Sequence, residues 1–75
     1  MVREYRPRLN DLRIQEIRAN LFYIDQYDGR VWHRLSWSDE PELVQHLVSP
    51  PFQCVGENEC EGKTRKYYRW AEAHR

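Results

Sequence analysis

Asp28-Gly29 sits between two runs of alternating polar and apolar residues, and no other feature restricts the fold of this chain as much. Asp-Gly is a preferred pair for a two-residue type I′ turn, because both central residues must reach positive φ. Such a turn sets Tyr27 opposite Arg30, Asp25 opposite Trp32, Tyr23 opposite Arg34 and Phe22 opposite Leu35. Side chains alternate across a strand, so one face carries Phe22, Ile24, Gln26, Val31, His33, Leu35 and Trp37. That face is the more regularly apolar one and is expected to meet the core. The opposite face carries Leu21, Tyr23, Asp25, Tyr27, Arg30, Trp32 and Arg34. It reads either as a wet recognition surface or as Tyr–Arg and Asp–Trp pairs that hold the hairpin together.

Upstream the pattern is ambiguous. Ile14, Ile17, Leu21 and Ile24 are spaced as a helical stripe that Asn10 or Asp11 would cap, so a short helix from Asp11 to about Arg18 is expected to lead into the first strand. Downstream, Ser38-Asp39-Glu40-Pro41-Glu42 combines a Ser or Asp cap, a first-turn proline and acids at the positive end of a helix dipole. Leu43, Val44, Leu47 and Val48 supply that helix with an apolar stripe, and Pro50-Pro51 ends it. The last third reads as a second hairpin. Phe52–Val55 pairs with Thr64–Trp70 across an acidic loop from Gly56 to Gly62, and Arg65, Tyr67 and Arg69 share one side of the returning strand. The expected fold is α+β: a small antiparallel sheet built from two β-hairpins, with one short helix packed on it in the order β-β-α-β-β. Residues 1–75 make one domain, with 1–10 as an N-terminal arm and 71–75 as a frayed end.

Composition limits what such a domain can do. Leu, Ile, Val and Phe total 16 of 75 residues, near the boundary at which chains fail to fold, while ten aromatic residues and a net charge of zero pull toward folding. A core this small rarely nets more than about 3–5 kcal/mol, and an enclosed catalytic pocket would remove part of it. Charge is uneven along the chain: residues 1–18 balance at +2, 37–61 at −6 and 63–75 at +4. An acidic centre between basic ends either neutralises itself or orients a partner. The longest apolar run, Leu21–Ile24, is far too short to span a membrane, and the N-terminus lacks a secretory signal pattern. A cytoplasmic protein is expected.

Chemical motifs are sparse. Cys54 and Cys60 enclose five residues and read as reduced thiols, as a disulfide, or with His46 as metal ligands, although zinc sites use tighter Cys spacing. Glu57, Glu59 and Glu61 read as solvated charge rather than as a calcium loop. His33 with Asp25 or Asp28 resembles an acid–base set, but the expected hairpin puts His33 and these carboxylates on opposite faces. A hydrogen-bonded structural histidine is expected instead. There is no glycine-rich phosphate loop, serine elbow or zincin motif, so no cofactor and no catalysis are expected.

Lys63 to Trp70 interleaves basic residues with aromatics, which would suit phosphates and stacked bases. Tyr, Trp and Arg also dominate protein–protein hot spots. The segment Ile17–Asp25 with Asp28–Leu35 resembles the central hairpin of small ribonuclease toxins of toxin–antitoxin modules, over about a quarter of the chain. That resemblance implies ribonuclease activity, but Ser38-Asp39-Glu40 stands where such toxins carry a basic pair. In size and style the chain is similar to the inhibitors that viruses and mobile elements direct at host machinery. The expected function is therefore non-catalytic binding of a macromolecule, a protein partner first and nucleic acid as the alternative, with a homodimer also open. The contacts would come from Tyr23, Tyr27, Arg30, Trp32 and Arg34 on one hairpin and Arg65, Tyr67 and Arg69 on the other.

Overall fold

A computed structural model describes residues 4–71. Five strands and one helix follow in the order β1 (Leu12–Arg18), β2 (Leu21–Tyr27), β3 (Trp32–Ser38), α1 (Pro41–Leu47), β4 (Phe52–Cys60) and β5 (Lys63–Trp70). All pairings are antiparallel and form one sheet in the order β3-β2-β1-β5-β4. The α+β class and both hairpins agree with the sequence. The arrangement gains a strand at its centre.

That strand replaces the helix expected over Asp11 to Arg18. Leu12 and Ile14 alternate with Arg13 and Gln15, a period of two that the helical stripe obscured. An isolated helix of about seven residues is unstable in water. As β1 the segment pairs on both sides, with β2 and with β5, and buries Leu12, Ile14 and Gln15.

The first hairpin also departs from its expected register. The Asp28 side chain closes its own turn: Oδ1 accepts the Arg30 and Val31 N–H groups at 2.7 and 2.9 Å, while the Asp28 N–H donates to the Val31 carbonyl. The connection is therefore residues 28–31, and Tyr27 faces Trp32 while Asp25 faces Arg34. A loop two residues longer keeps parity, so Tyr23, Asp25, Tyr27, Trp32 and Arg34 still share a face. Beyond Arg34 parity fails. A bulge at Leu35 pairs Ile24 with Ser36 and Tyr23 with Trp37, moving Trp37 off the core face. Val31, Leu35 and Trp37, expected in the core, are more than half exposed, and His33 is exposed as well.

In the second hairpin the expected acidic loop is strand as far as Cys60. Only Glu61 and Gly62 turn, both at positive φ. Helix α1 starts at Pro41 after Glu40, which makes no side-chain cap; the Ser38 hydroxyl instead accepts the Glu40 N–H. Val44 of α1 packs on Ile14 and Ile24, with Phe22, Val48 and Tyr68 around them. Burial of each such aliphatic side chain stabilises by about 1.5–3 kcal/mol, so this small cluster holds α1 on the sheet.

Candidate interaction surfaces

Two faces of the sheet differ in chemistry. The face away from α1 collects seven of the eight side chains that sequence reasoning selected. Tyr23, Tyr27, Trp32 and Arg34 come from β2 and β3, and Arg65, Tyr67 and Arg69 come from β5. Strand β1 joins the two groups by placing Arg13 beside Tyr67 and Gln15 beside Arg65. Arg30 alone stays apart, in the exposed 28–31 connection.

The charges on this face are spent on one another. Asp25 is 1% exposed and accepts hydrogen bonds from Arg34 Nε at 2.8 Å, Arg13 Nε at 2.9 Å and Gln15 Nε2 at 3.2 Å. Gln15 Oε1 accepts in turn from Arg65 Nε at 2.9 Å. Burial alone would raise the Asp25 carboxyl, but the Arg34 and Arg13 guanidiniums hold it below the ordinary carboxylate range. Arg13 also lies 4.5 Å over the Trp32 ring, and Arg34 lies 3.8 Å over Tyr23.

A second node forms at Asp11, also 1% exposed. Arg69 grips it at both oxygens, Nε to Oδ1 and an Nη to Oδ2, each at 2.9 Å. The Tyr5 hydroxyl donates to Asp11 Oδ2 at 2.6 Å, and the Tyr5 ring stacks on Tyr67 with centroids 4.1 Å apart. Burial pushes the Tyr5 hydroxyl well above its usual range, reinforced by its bond to Asp11. Residues 4–10, expected as an arm, thus lie across this face. Gly56 is what admits them: a Cβ there would stand 2.9 Å from the Tyr5 Cβ. Tyr67, expected at the recognition surface, lies beneath Tyr5 and is 5% exposed. Tyr23, Tyr27, Trp32, Arg65 and Arg69 are half-buried, and Arg30 and Arg34 are exposed.

Sequence reasoning missed Tyr5, Asp11, Arg13 and Gln15. The available signal was the alternation of Asp11, Arg13 and Gln15 with Leu12 and Ile14.

The face that carries α1 has an apolar centre, with Glu16, Gln26, Thr64 and Lys66 around it, and is only partly covered. Under the C-terminal end of α1 a groove of about 460 Å³ is lined by Leu12, Ile24, Leu35, Leu47, Phe52 and Trp70. Phe52 and Trp70 meet edge to face at 5.2 Å. Leu35, Leu47 and Trp70 are all exposed.

The remaining candidates separate. Cys54 and Cys60 are free and lie on the same extended strand. Six residues of strand span about 20 Å, well beyond the roughly 7 Å that a disulfide tolerates. The same distance prevents them from ligating one metal ion with His46. Glu57 and Glu59 face Lys66 and Thr64 across the β4–β5 ladder. His33, expected to be a partly buried structural histidine, is an exposed one: its Nε2 lies 2.6 Å from Asp28 Oδ2 at the hairpin tip. The Arg30 and Val31 amides and this ring hold the Asp28 carboxyl down at about 2, with the Val31 amide contributing most. Residues 72–75 of the expected frayed end lie outside the described residues. Among the described residues no helix is long and apolar enough to cross a membrane.

No family model, no curated protein and no solved structure matches this chain.

Proposed function

We propose that this chain is a non-catalytic interaction domain that binds a protein and acts by occupying the partner's surface, in the manner of a small inhibitor. One observation carries this reading. Among the described residues five apolar side chains are buried, whereas seven large ones are 42–63% exposed, and three of the seven line a single groove. Contiguous apolar surface of this kind marks interaction sites on small proteins. The primary contacts are Trp70, Leu35, Leu47 and Phe52. Arg30 and Arg34 offer charge near Leu35, at the β3 side of the groove.

Nucleic acid is the weaker reading. On the polar face a phosphate would have to displace Asp25 or Asp11 from Arg13, Arg34 and Arg69, and a base would have to displace Tyr5 from Tyr67. A ribonuclease reading needs a free acid–base pair, and the carboxylate beside His33 is committed to its turn.

The test is capture on the immobilised 75-residue chain, run beside its Trp70→Lys variant and beside titration of short DNA and RNA across a salt series. The reading expects one protein retained in stoichiometric amount by the parent and lost by Trp70→Lys, without salt-sensitive nucleic-acid binding. Tight, steeply salt-dependent RNA or DNA binding with no protein retained would overturn it.

A further inference from the structure

The outer edge of β3 is built unlike the outer edge of β4, and we propose that β3 pairs with β3 of a second copy of this chain. Strand β3 ends the sheet on one side, and its residues His33 to Trp37 are exposed in succession. Leu35 and Trp37 from β3 and Leu43 and Leu47 from the neighbouring α1 bring four exposed large apolar side chains to this margin. A cleft of about 280 Å³ between helix and strand joins Trp37, Leu43 and Leu47, with Ile24, Ser36 and Val44 in its wall; Leu35 lies outside it. A strand added outside β3 would extend the sheet beneath the bare flank of α1 and cover both sets at once.

Charge selects a second copy as the occupant. At one end of this edge stand Arg30, which is exposed, and Arg34, which is half exposed and keeps its bonds to Asp25; just beyond the other end, and into α1, come the acidic residues Asp39, Glu40 and Glu42. A two-fold axis perpendicular to the sheet reverses the second strand, so each basic end meets the other copy's acidic end. The β4 edge fails the same operation. It carries Glu57 and Glu59 with no Lys or Arg from Phe52 to Cys60, so two copies of it would repel.

Parity restricts the axis to a residue position, and the exposed Trp37 ring selects which one. Residues opposed across an antiparallel pair share a face, and Trp37 lies on the Tyr23 face while Ser36 lies on the Ile24 face. An axis at Trp37 satisfies this: Trp37 meets its own equivalent, Ser36 meets Ser38, and Arg34, one ladder step beyond Ser36 because Leu35 is bulged, comes level with Asp39. The bulge at Leu35 confines regular backbone pairing to the residues beyond it, so the apolar side chains supply most of the contact. The product is one ten-stranded sheet with both helices on the same face. This surface shares Leu35 and Leu47 with the groove assigned to a foreign partner and is told apart from it by Trp37, which lies outside that groove, whereas Trp70 lines it.

Sedimentation velocity on the full chain tests the assignment. The parent is expected to approach twice its mass of 9.3 kDa as concentration rises into the micromolar range. Trp37→Lys sets two like charges against each other at the axis and is expected to weaken self-association by roughly 100-fold or more, whereas Trp70→Lys leaves it in place. In a Cys54→Ser, Cys60→Ser background, Trp37→Cys is expected to oxidise to a symmetric disulfide dimer, which decides the matter independently if the lysine variant fails to fold. A parent that stays monomeric at every concentration overturns the proposal. So does a dimer that Trp37→Lys leaves intact, or one that Trp70→Lys dissociates.

Discussion

Replacing Asp25 by Asn removes the one anion on which Arg13 and Arg34 converge, and the structure fixes how much that should cost. The carboxylate is 1% exposed, the Arg13 side chain 14% and the Arg34 side chain 46%. Breaking a buried ion pair by deleting one partner costs about 3–5 kcal/mol, because the remaining charge stays buried and uncompensated. Arg34 can turn to solvent and Arg13 cannot do so fully, which places Asp25→Asn near the lower end, at about 3 kcal/mol. A domain of this size holds only about 3–5 kcal/mol in all, so most of its stability should go. At roughly 4–8 °C per kcal/mol, the melting temperature should fall by about 12–24 °C. Arg34→Ala is the matched control. Arg13 and Gln15 still satisfy Asp25, and the lost pair is half exposed, so its cost should stay below about 1 kcal/mol. Urea unfolding followed by tryptophan fluorescence reports both variants, since Trp32 lies directly against Arg13. If the two variants unfold within about 0.5 kcal/mol of each other, Asp25 is not the hub of this face.

Gly56→Ala should dislodge residues 4–10, because its Cβ meets the Tyr5 backbone side of the ring rather than a movable tip; faster amide exchange at Arg8 and Asp11 would register it, and unchanged exchange would count against the docking. The Tyr5 hydroxyl is held above its usual value, so the stability it contributes is complete below about pH 10 and is lost as pH rises further. Tyr5→Phe should shrink the alkaline loss in a pH series of thermal melts, leaving the part due to Tyr68, whose hydroxyl burial also holds above its usual value; an unchanged loss would count against Tyr5. Asp11 and Asp25 are both held below the ordinary carboxyl value of 3.8, so their contribution is complete above that pH and declines as acid is added below it. Arg69→Gln should shrink the acid limb by the share of Asp11, leaving that of Asp25, and an acid limb unaffected by it would place the effect elsewhere.

How much of this was legible follows from parity. Tyr23, Asp25, Tyr27, Trp32 and Arg34 share a face whether the hairpin loop has two residues or four, so the wrong turn still gave the right grouping. The turn itself was misread because Asp28 acts through its side chain, closing a longer connection, whereas Asp-Gly was read from backbone preference alone. Trp37 was misplaced by the Leu35 bulge, since one extra residue inverts every assignment beyond it and leaves no mark in local composition. Arg65, Tyr67 and Arg69 were grouped correctly because β5 alternates without interruption.

The larger gap was β1, and it changed the meaning of the polar face. Two separate hairpins would each leave rings and guanidiniums facing water, free to meet a partner. A strand between them inserts Asp11, Arg13 and Gln15 into the same row, and those three supply an anion, a cation and an amide within reach of the flanking arginines and Asp25. Complementary charge that looked like display in two pieces becomes internal pairing in one. With so few aliphatic residues, the sheet is held on one side by Ile14, Ile24 and Val44 and on the other by a hydrogen-bonded ionic layer under Tyr5. The apolar side chains left over, Trp37 and Trp70 among them, are then the exposed surface to which the proposed binding is assigned.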